Sequence, residues 1–281
     1  MGAALKWILE TMSAWIQNLA TGNSMLVAGI DSWSGTLFNA LTAGMRAVVL
    51  PVAYTVMALF LLMELVHVAQ RADANNSTLP AEIIFKVIFK YILVKMAIDS
   101  SVLILTAIYE VTTSLTFNMG TYLSGIGSVG EVAVIADMAD TIDELSFWSQ
   151  FVSLIPMLLA LLIVGLSVLM AQIIVIARFI EIYVYVTISP VPMATLAGDE
   201  LGSIGKSFLK SFTAVCIQGF LIYLVLAFFP EILRTSLFNL GEAEGVGGFL
   251  GSLFGIIGYS IVLLIAIFSC KNWSKAICNA M

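Results

Sequence analysis

The chain has 281 residues, of which 60% are hydrophobic and only 11% charged, with a mean hydropathy of +1.05. An average soluble domain is roughly 45–50% apolar and about 25% charged, so an ordinary soluble protein is excluded and lipid must replace water around much of the surface. The net charge of −6 argues against an isolated nucleic-acid binder, which would be basic.

The first predicted element is an amphipathic helix over residues 3–20. Leu5, Ile8, Leu9, Met12, Ile16 and Leu19 recur at helical spacing, with Glu10, Ser13, Gln17 and Asn18 largely on the other side. Trp7, Trp15 and Trp33 suit a membrane–water interface. The helix is therefore expected to lie on the membrane or to pack on a partner, and Thr21-Gly22-Asn23 ends it. Residues 1–20 carry Glu10 and Gln17 and lack the uninterrupted apolar core of a signal peptide.

The first strong span is Ala47 to Ala69, with Pro51 in its first turn, where proline is tolerated. A polar loop, residues 70–78, leads to a second long helix over 81–117 in two parts. Its first part is basic and amphipathic, with Lys86 and Lys90. Its second, Tyr91 to Thr113, crosses the membrane and carries Lys95 and Asp99, placed i, i+4 so that they can pair on one face. Residues 118–149 are acidic and contain no Lys or Arg. Asp137, Asp140 and Asp143 could form one helical stripe, which is not the alternating spacing of a calcium loop.

From Phe151 to Ser189 the chain is apolar, interrupted by Gln172, Arg178 and Glu181. A single helix here would be roughly 58 Å long, about twice the hydrocarbon thickness. Pro190 and Pro192 stop it. A basic start with Lys206 and Lys210 opens the next span, Phe212 to Phe229, and the last span is Phe249 to Cys270. Gly247, Gly251, Gly255 and Gly258 open that last helix at a spacing that lets helix backbones approach closely in lipid.

Charge asymmetry separates five spans from six. Five spans with the N-terminus outside put Arg71, Lys86, Lys90, Lys95, Arg178, Lys206, Lys210, Lys271 and Lys275 on or near the inner side, against Lys6, Arg46 and Arg234 outside. A turn at Arg178, giving six spans, makes the tally even. The expected fold is therefore all-α, a polytopic transmembrane helical protein of five spans (alternative six), N-out and C-in, with an N-terminal amphipathic helix. Its regions are an interfacial segment 1–45, two transmembrane helices with a cytoplasmic basic loop 46–117, an extracytoplasmic acidic loop 118–149, and a C-terminal transmembrane region 150–281. Residues from about Ala171 to Ser189 would then project past the bilayer, and burying them requires other protein, so the chain is expected to oligomerise.

No catalytic centre is visible. There is one histidine, His67, and no CxxC, HExxH or GxxxxGK[ST]. Cys216, Cys270 and Cys278 read as free thiols. Ser203 to Lys206 and Ser207 to Lys210 match S-x-x-K without a partner motif, and those lysines suit anionic lipid headgroups. No cofactor and no metal site is expected, and the chain is not expected to be an enzyme. The candidate pathway residues are the intramembrane polar ones, Lys95, Asp99, Arg178 and Glu181.

The block Arg178, Glu181, Tyr183, Tyr185 and Ile188-Ser189-Pro190-Val191-Pro192-Met193-Ala194, followed by Lys206-Ser207-Phe208-Leu209-Lys210 and a further span, resembles the TrbL family. That family is the polytopic inner-membrane subunit of type IV secretion and conjugation systems. The resemblance covers about residues 45–275. It implies a homo-oligomeric channel subunit in the bacterial cytoplasmic (inner) membrane. Other secretion-system subunits, including ATPases, would act beside it, and translocated single-stranded DNA or protein would touch it transiently. The other reading is a self-contained transporter or channel for a small solute, in which the same four charged residues would carry the pathway.

Overall fold

The computed structural model describes residues 2–21, 24–74, 81–126, 142, 147–198, 202–234 and 246–280. Among the described residues there is no strand. The helices are α1 (Gly2–Thr21), α2 (Ser24–Val27), α3 (Gly35–Gly44), α4 (Leu50–Ala74), α5 (Ala81–Asp99), α6 (Ser101–Ile126), α7 (Phe147–Ile188), α8 (Pro190–Ala194), α9 (Gly202–Arg234) and α10 (Val246–Cys278). Among the described residues, five helical stretches are long and apolar enough to cross a membrane: Gly35–Gln70, Ser101–Leu123, Phe147–Ile188, Gly202–Phe228 and Gly247–Cys278. The chain is a helical, multi-pass membrane protein with five such stretches, as the sequence predicts.

Helix α7 decides between five spans and six. It runs for 42 residues without a turn at Arg178, so the six-span alternative falls. Residues 171–189 contain no Gly, Pro or Asn that would end a helix, and backbone hydrogen bonds continue where side chains favour neither turn nor cap. Pro156 lies inside α7, a position the sequence reading passed over. In a membrane helix the carbonyl that proline frees is satisfied by neighbouring groups, and the helix continues.

Several boundaries differ from expectation. The first span starts earlier than Ala47, because α3, a π turn at Met45–Val49 and α4 form one helical run. Pro51 therefore sits within a helix already under way, where its ring crowds the carbonyl four residues back, and the helix widens into the π turn just before it. The helix predicted over 81–117 is interrupted at Ser100, which follows Lys95 and Asp99. The interruption is local: Ser100 N–H bonds the Met96 carbonyl at 3.0 Å, and Ile104 N–H bonds that of Ser100 at 2.9 Å. Helix α6 continues to Ile126, so residues 118–126 are helix where a loop was expected. The acidic stripe Asp137, Asp140 and Asp143 and residues 75–78 of the expected polar loop lie outside the described residues, whereas residues 70–74 of that loop are the end of α4.

The chain divides into two units. Unit 1 comprises Met1–Ala28, Thr113–Ala177 and Gln218–Trp273. The apolar face of α1 is buried here at Leu5, Ile8, Leu9, Met12 and Ile16, each at most 4% exposed. The N-terminal helix is thus packed in protein rather than spread on lipid. A side chain at Gly165 would meet the Trp15 ring at 2.8 Å, so the bare glycine on α7 is what lets that indole approach. The Ser167 hydroxyl donates to the Ile163 carbonyl at 2.8 Å and approaches the Ser260 carbonyl of α10 at 3.3 Å. Of the four glycines singled out near the start of α10, Gly251 and Gly255 are buried, Gly258 is half-buried and Gly247 is exposed.

Unit 2 comprises Gly29–Thr112, Arg178–Ile217 and Ser274–Met281. Helices α4 and α5 pack together and against α8, around a core of Ala53, Val87, Tyr91, Val94, Ile98, Met193 and Ala194. Ser34 caps α3, its hydroxyl accepting the Leu37 N–H at 3.3 Å. After Ile188 the chain tightens at Ser189, whose N–H and hydroxyl both reach the Val186 carbonyl, at 3.4 and 2.8 Å. Pro190 then opens α8 at its first position, where no N–H is required. A short 3₁₀ turn, Thr195–Ala197, ends at Gly198 in extended conformation.

Candidate functional site

The polar groups of unit 2 gather at two places. The first centres on Arg178, the residue of α7 that hydropathy alone makes anomalous. It is only 3% exposed. Its Nε donates to the Val215 carbonyl at 3.1 Å and its Nη2 to the Cys216 carbonyl at 3.3 Å, both on α9. The guanidinium carbon lies 5.9 Å from the Tyr109 ring centroid and 5.8 Å from that of Phe179. Its Nη1 is buried and has no hydrogen-bond partner among the described residues. A guanidinium stays charged at any accessible pH, and its planar fork reaches two carbonyls while its face meets aromatic rings. Lysine has no such geometry. The arrangement ties α7 to α9 and leaves the Nη1 atom buried without a partner among the described residues.

Around Arg178 the block quoted above folds as an aromatic cluster. Trp33 stacks on Phe179 at 6.2 Å and tilts against Tyr183 at 5.5 Å, and Phe38 meets Tyr183 at 5.6 Å. The Tyr183 hydroxyl donates to the Ile30 carbonyl at 2.8 Å. Tyr185 packs on Phe208 and Phe212 of α9, at 5.3 and 5.9 Å. Gly205 closes the arrangement: a side chain there would come within 2.7 Å of the Pro192 carbonyl and of Leu196. The proline turn and the start of α9 can therefore sit together only with glycine at that position. Glu181, one turn after Arg178, is half-buried and has interactions of its own.

The second place is Asp99, which accepts a hydrogen bond from the Tyr54 hydroxyl of α4. The pair expected between Lys95 and Asp99 does not form. Both side chains are exposed, and a base preceding an acid by four residues is the weaker order of a helical ion pair. Asp99 lies beside a groove of about 430 Å³ that Arg46 also lines. The four charged residues singled out from sequence therefore do not converge. Arg178 is held at α9, Asp99 at α4, and Lys95 is exposed. The residues that sequence reasoning missed are Tyr54 and Tyr109, aromatic positions within apolar runs that give no local signal of their partners, and Trp33, expected at a membrane–water interface, packs on Phe179 and Tyr183. The three cysteines are free, and among the described residues no group of three His, Cys, Asp or Glu could hold a metal ion.

Continuous apolar helices, a charge buried between them and aromatic clustering around a proline turn define a polytopic integral membrane component. Residues 17–190, more than half of the chain, match the family described as TrbL/VirB6 plasmid conjugal transfer like protein, and the chain belongs to that family. It is accordingly a membrane component of a conjugal transfer system, associated with other parts of that machinery. No curated protein and no solved structure gives a significant match.

Proposed function

We propose that the chain is a structural channel subunit of a type IV secretion machine in the bacterial inner membrane, with its N-terminus outside and its C-terminus inside. It oligomerises there and helps to form the path taken by single-stranded DNA or protein, while ATPases of the system supply the energy. The observation that carries this reading is the family match over residues 17–190, which includes Arg178 and the run to Pro190. Assembly is supported by α7: Ile173, Ile176, Ile180 and Val184 are 40–52% exposed along one side of a helix longer than a bilayer is thick. Gly251 and Gly255, buried on α10, are proposed to set helix packing, and Pro190 and Pro192 the end of α7. Lys95, Asp99, Arg178 and Glu181 are proposed to tune the path or its assembly.

The test is a mating assay after clean in-frame deletion of the gene, with complementation in trans. Transfer is expected to collapse and to return with the wild-type gene. Unchanged transfer would overturn the proposal and direct attention to solute flux through the purified protein in liposomes.

A further inference from the structure

The groove of about 430 Å³ beside Asp99 has a composition that the channel reading does not use. Arg46, on the π turn, and Asp99, at the end of α5, both line it, and the walls between are apolar, from Leu50, Val102 and Leu103. Thr106 also lines it, but its hydroxyl is spent on the Val102 carbonyl at 2.6 Å. Arg46 is exposed and lies within the first apolar stretch, Gly35–Gln70. Asp99 is held on one oxygen by the Tyr54 hydroxyl. Among the described residues no ion pair joins Arg46 to Asp99. Two opposite charges thus share one lipid-accessible groove without neutralising each other, where an uncompensated charge is costly. π turns, moreover, concentrate at functional sites.

We propose that this groove binds the headgroup of a phosphoethanolamine lipid. The occupant must carry both signs a few bonds apart and an apolar tail. The phosphate meets the Arg46 guanidinium, which favours planar, two-point contact with phosphate oxygens. The primary ammonium donates to Asp99, whose bond from Tyr54 keeps the carboxylate on the groove wall. The acyl chains follow Leu50, Val102 and Leu103. A phosphoglycerol lipid offers no cation to Asp99, and a phosphocholine lipid offers no N–H donor, so headgroup chemistry separates the three.

The test is native mass spectrometry of the full-length protein, purified in mild detergent and exposed to equal amounts of phosphatidylethanolamine, phosphatidylglycerol and phosphatidylcholine. The wild-type protein is expected to retain phosphatidylethanolamine over the other two by roughly tenfold, the ratio that one good charge-assisted contact gives. Arg46→Gln and Asp99→Asn are each expected to abolish the preference, while Arg46→Lys keeps part of it. Equal retention of all three lipids, a preference for phosphatidylglycerol, or undiminished selectivity in both variants would overturn the proposal. Should the variants fail to fold, a photoactivatable phosphatidylethanolamine answers with the wild-type protein alone. Its cross-links are expected at Leu50 and at residues 102–106, and cross-links confined elsewhere would overturn the site. None of these readouts depends on conjugal transfer, so the lipid site and the channel proposal fail independently.

Discussion

Arg178 shows what a single residue can demand of a membrane helix. Placing a guanidinium in a dry setting is costly, and here two carbonyls and two aromatic faces offset that cost. Arg178→Lys is therefore expected to lower the melting temperature in detergent, since a hydrogen bond to a charged group contributes about 1.5–3 kcal/mol and a lysine cannot keep both. Arg178→Met is expected to melt closer to the wild type, because it leaves no buried charge unpaired. A lysine variant as stable as the wild type would contradict this account. That Arg178 stood out was legible in the sequence, because a lone cation interrupts an apolar run. Its partners were not, because Val215 and Cys216 contribute backbone carbonyls, which carry no mark of residue type. The pairing of Tyr54 with Asp99 was hidden for a different reason: they lie 45 positions apart, and only folding reveals that each is the other's neighbour.

Among the elements, glycines set the distances. Gly165 on α7 admits the Trp15 ring of α1, and Gly205 admits the Pro192 carbonyl to the start of α9. Gly205→Ala must displace backbone rather than the end of a flexible side chain. It is expected to cost about 1–3 kcal/mol, the usual price of overpacking, and to raise susceptibility to limited proteolysis after residue 198. Gly165→Leu is expected to release α1 from its seat, seen as faster hydrogen exchange over residues 2–18 with little change in α4 or α5. Uniform exchange throughout the chain would mean that the Trp15 contact does not hold the helix. The amphipathic period of α1 was plain in the sequence, yet an apolar face fits equally against lipid or against protein, and periodicity cannot say which. Helix ends were less legible than helix existence. Pro51 and Pro156 both lie within helical runs, because lipid leaves the backbone no better option than to keep its hydrogen bonds internal.

For the molecule as a whole, the balance of basic residues pointed to five spans, and the unbroken α7 agrees with it. The count was legible because a turn at Arg178 would have moved Lys206, Lys210, Lys271 and Lys275 to the other side of the membrane. Sidedness is a prediction of the same asymmetry. With Cys216, Cys270 and Cys278 replaced by Ser, a new cysteine at Ser13 is expected to react in intact cells with a membrane-impermeant maleimide, and one at Lys275 only after lysis. The reverse pattern would invert the topology, and equal labelling would break the five-span count. The lipid groove had no signature in the sequence, since Arg46 and Asp99 come together only once α4 and α5 have paired.

The 42 residues of α7 form a rod of about 63 Å. A continuous helix is stiff, curving only gently unless something breaks its ladder, and its length makes it a lever. Within unit 1 the rod runs from Phe147 to Ala177, and a pivot of about 10° at Trp148 carries Ala177 through about 8 Å, more than one helix pitch. A disturbance at Trp148 is therefore felt at Ala177 as a displacement instead of being absorbed on the way. Pro156, the one proline of the helix, leaves the ladder running, so the lever works over that whole length.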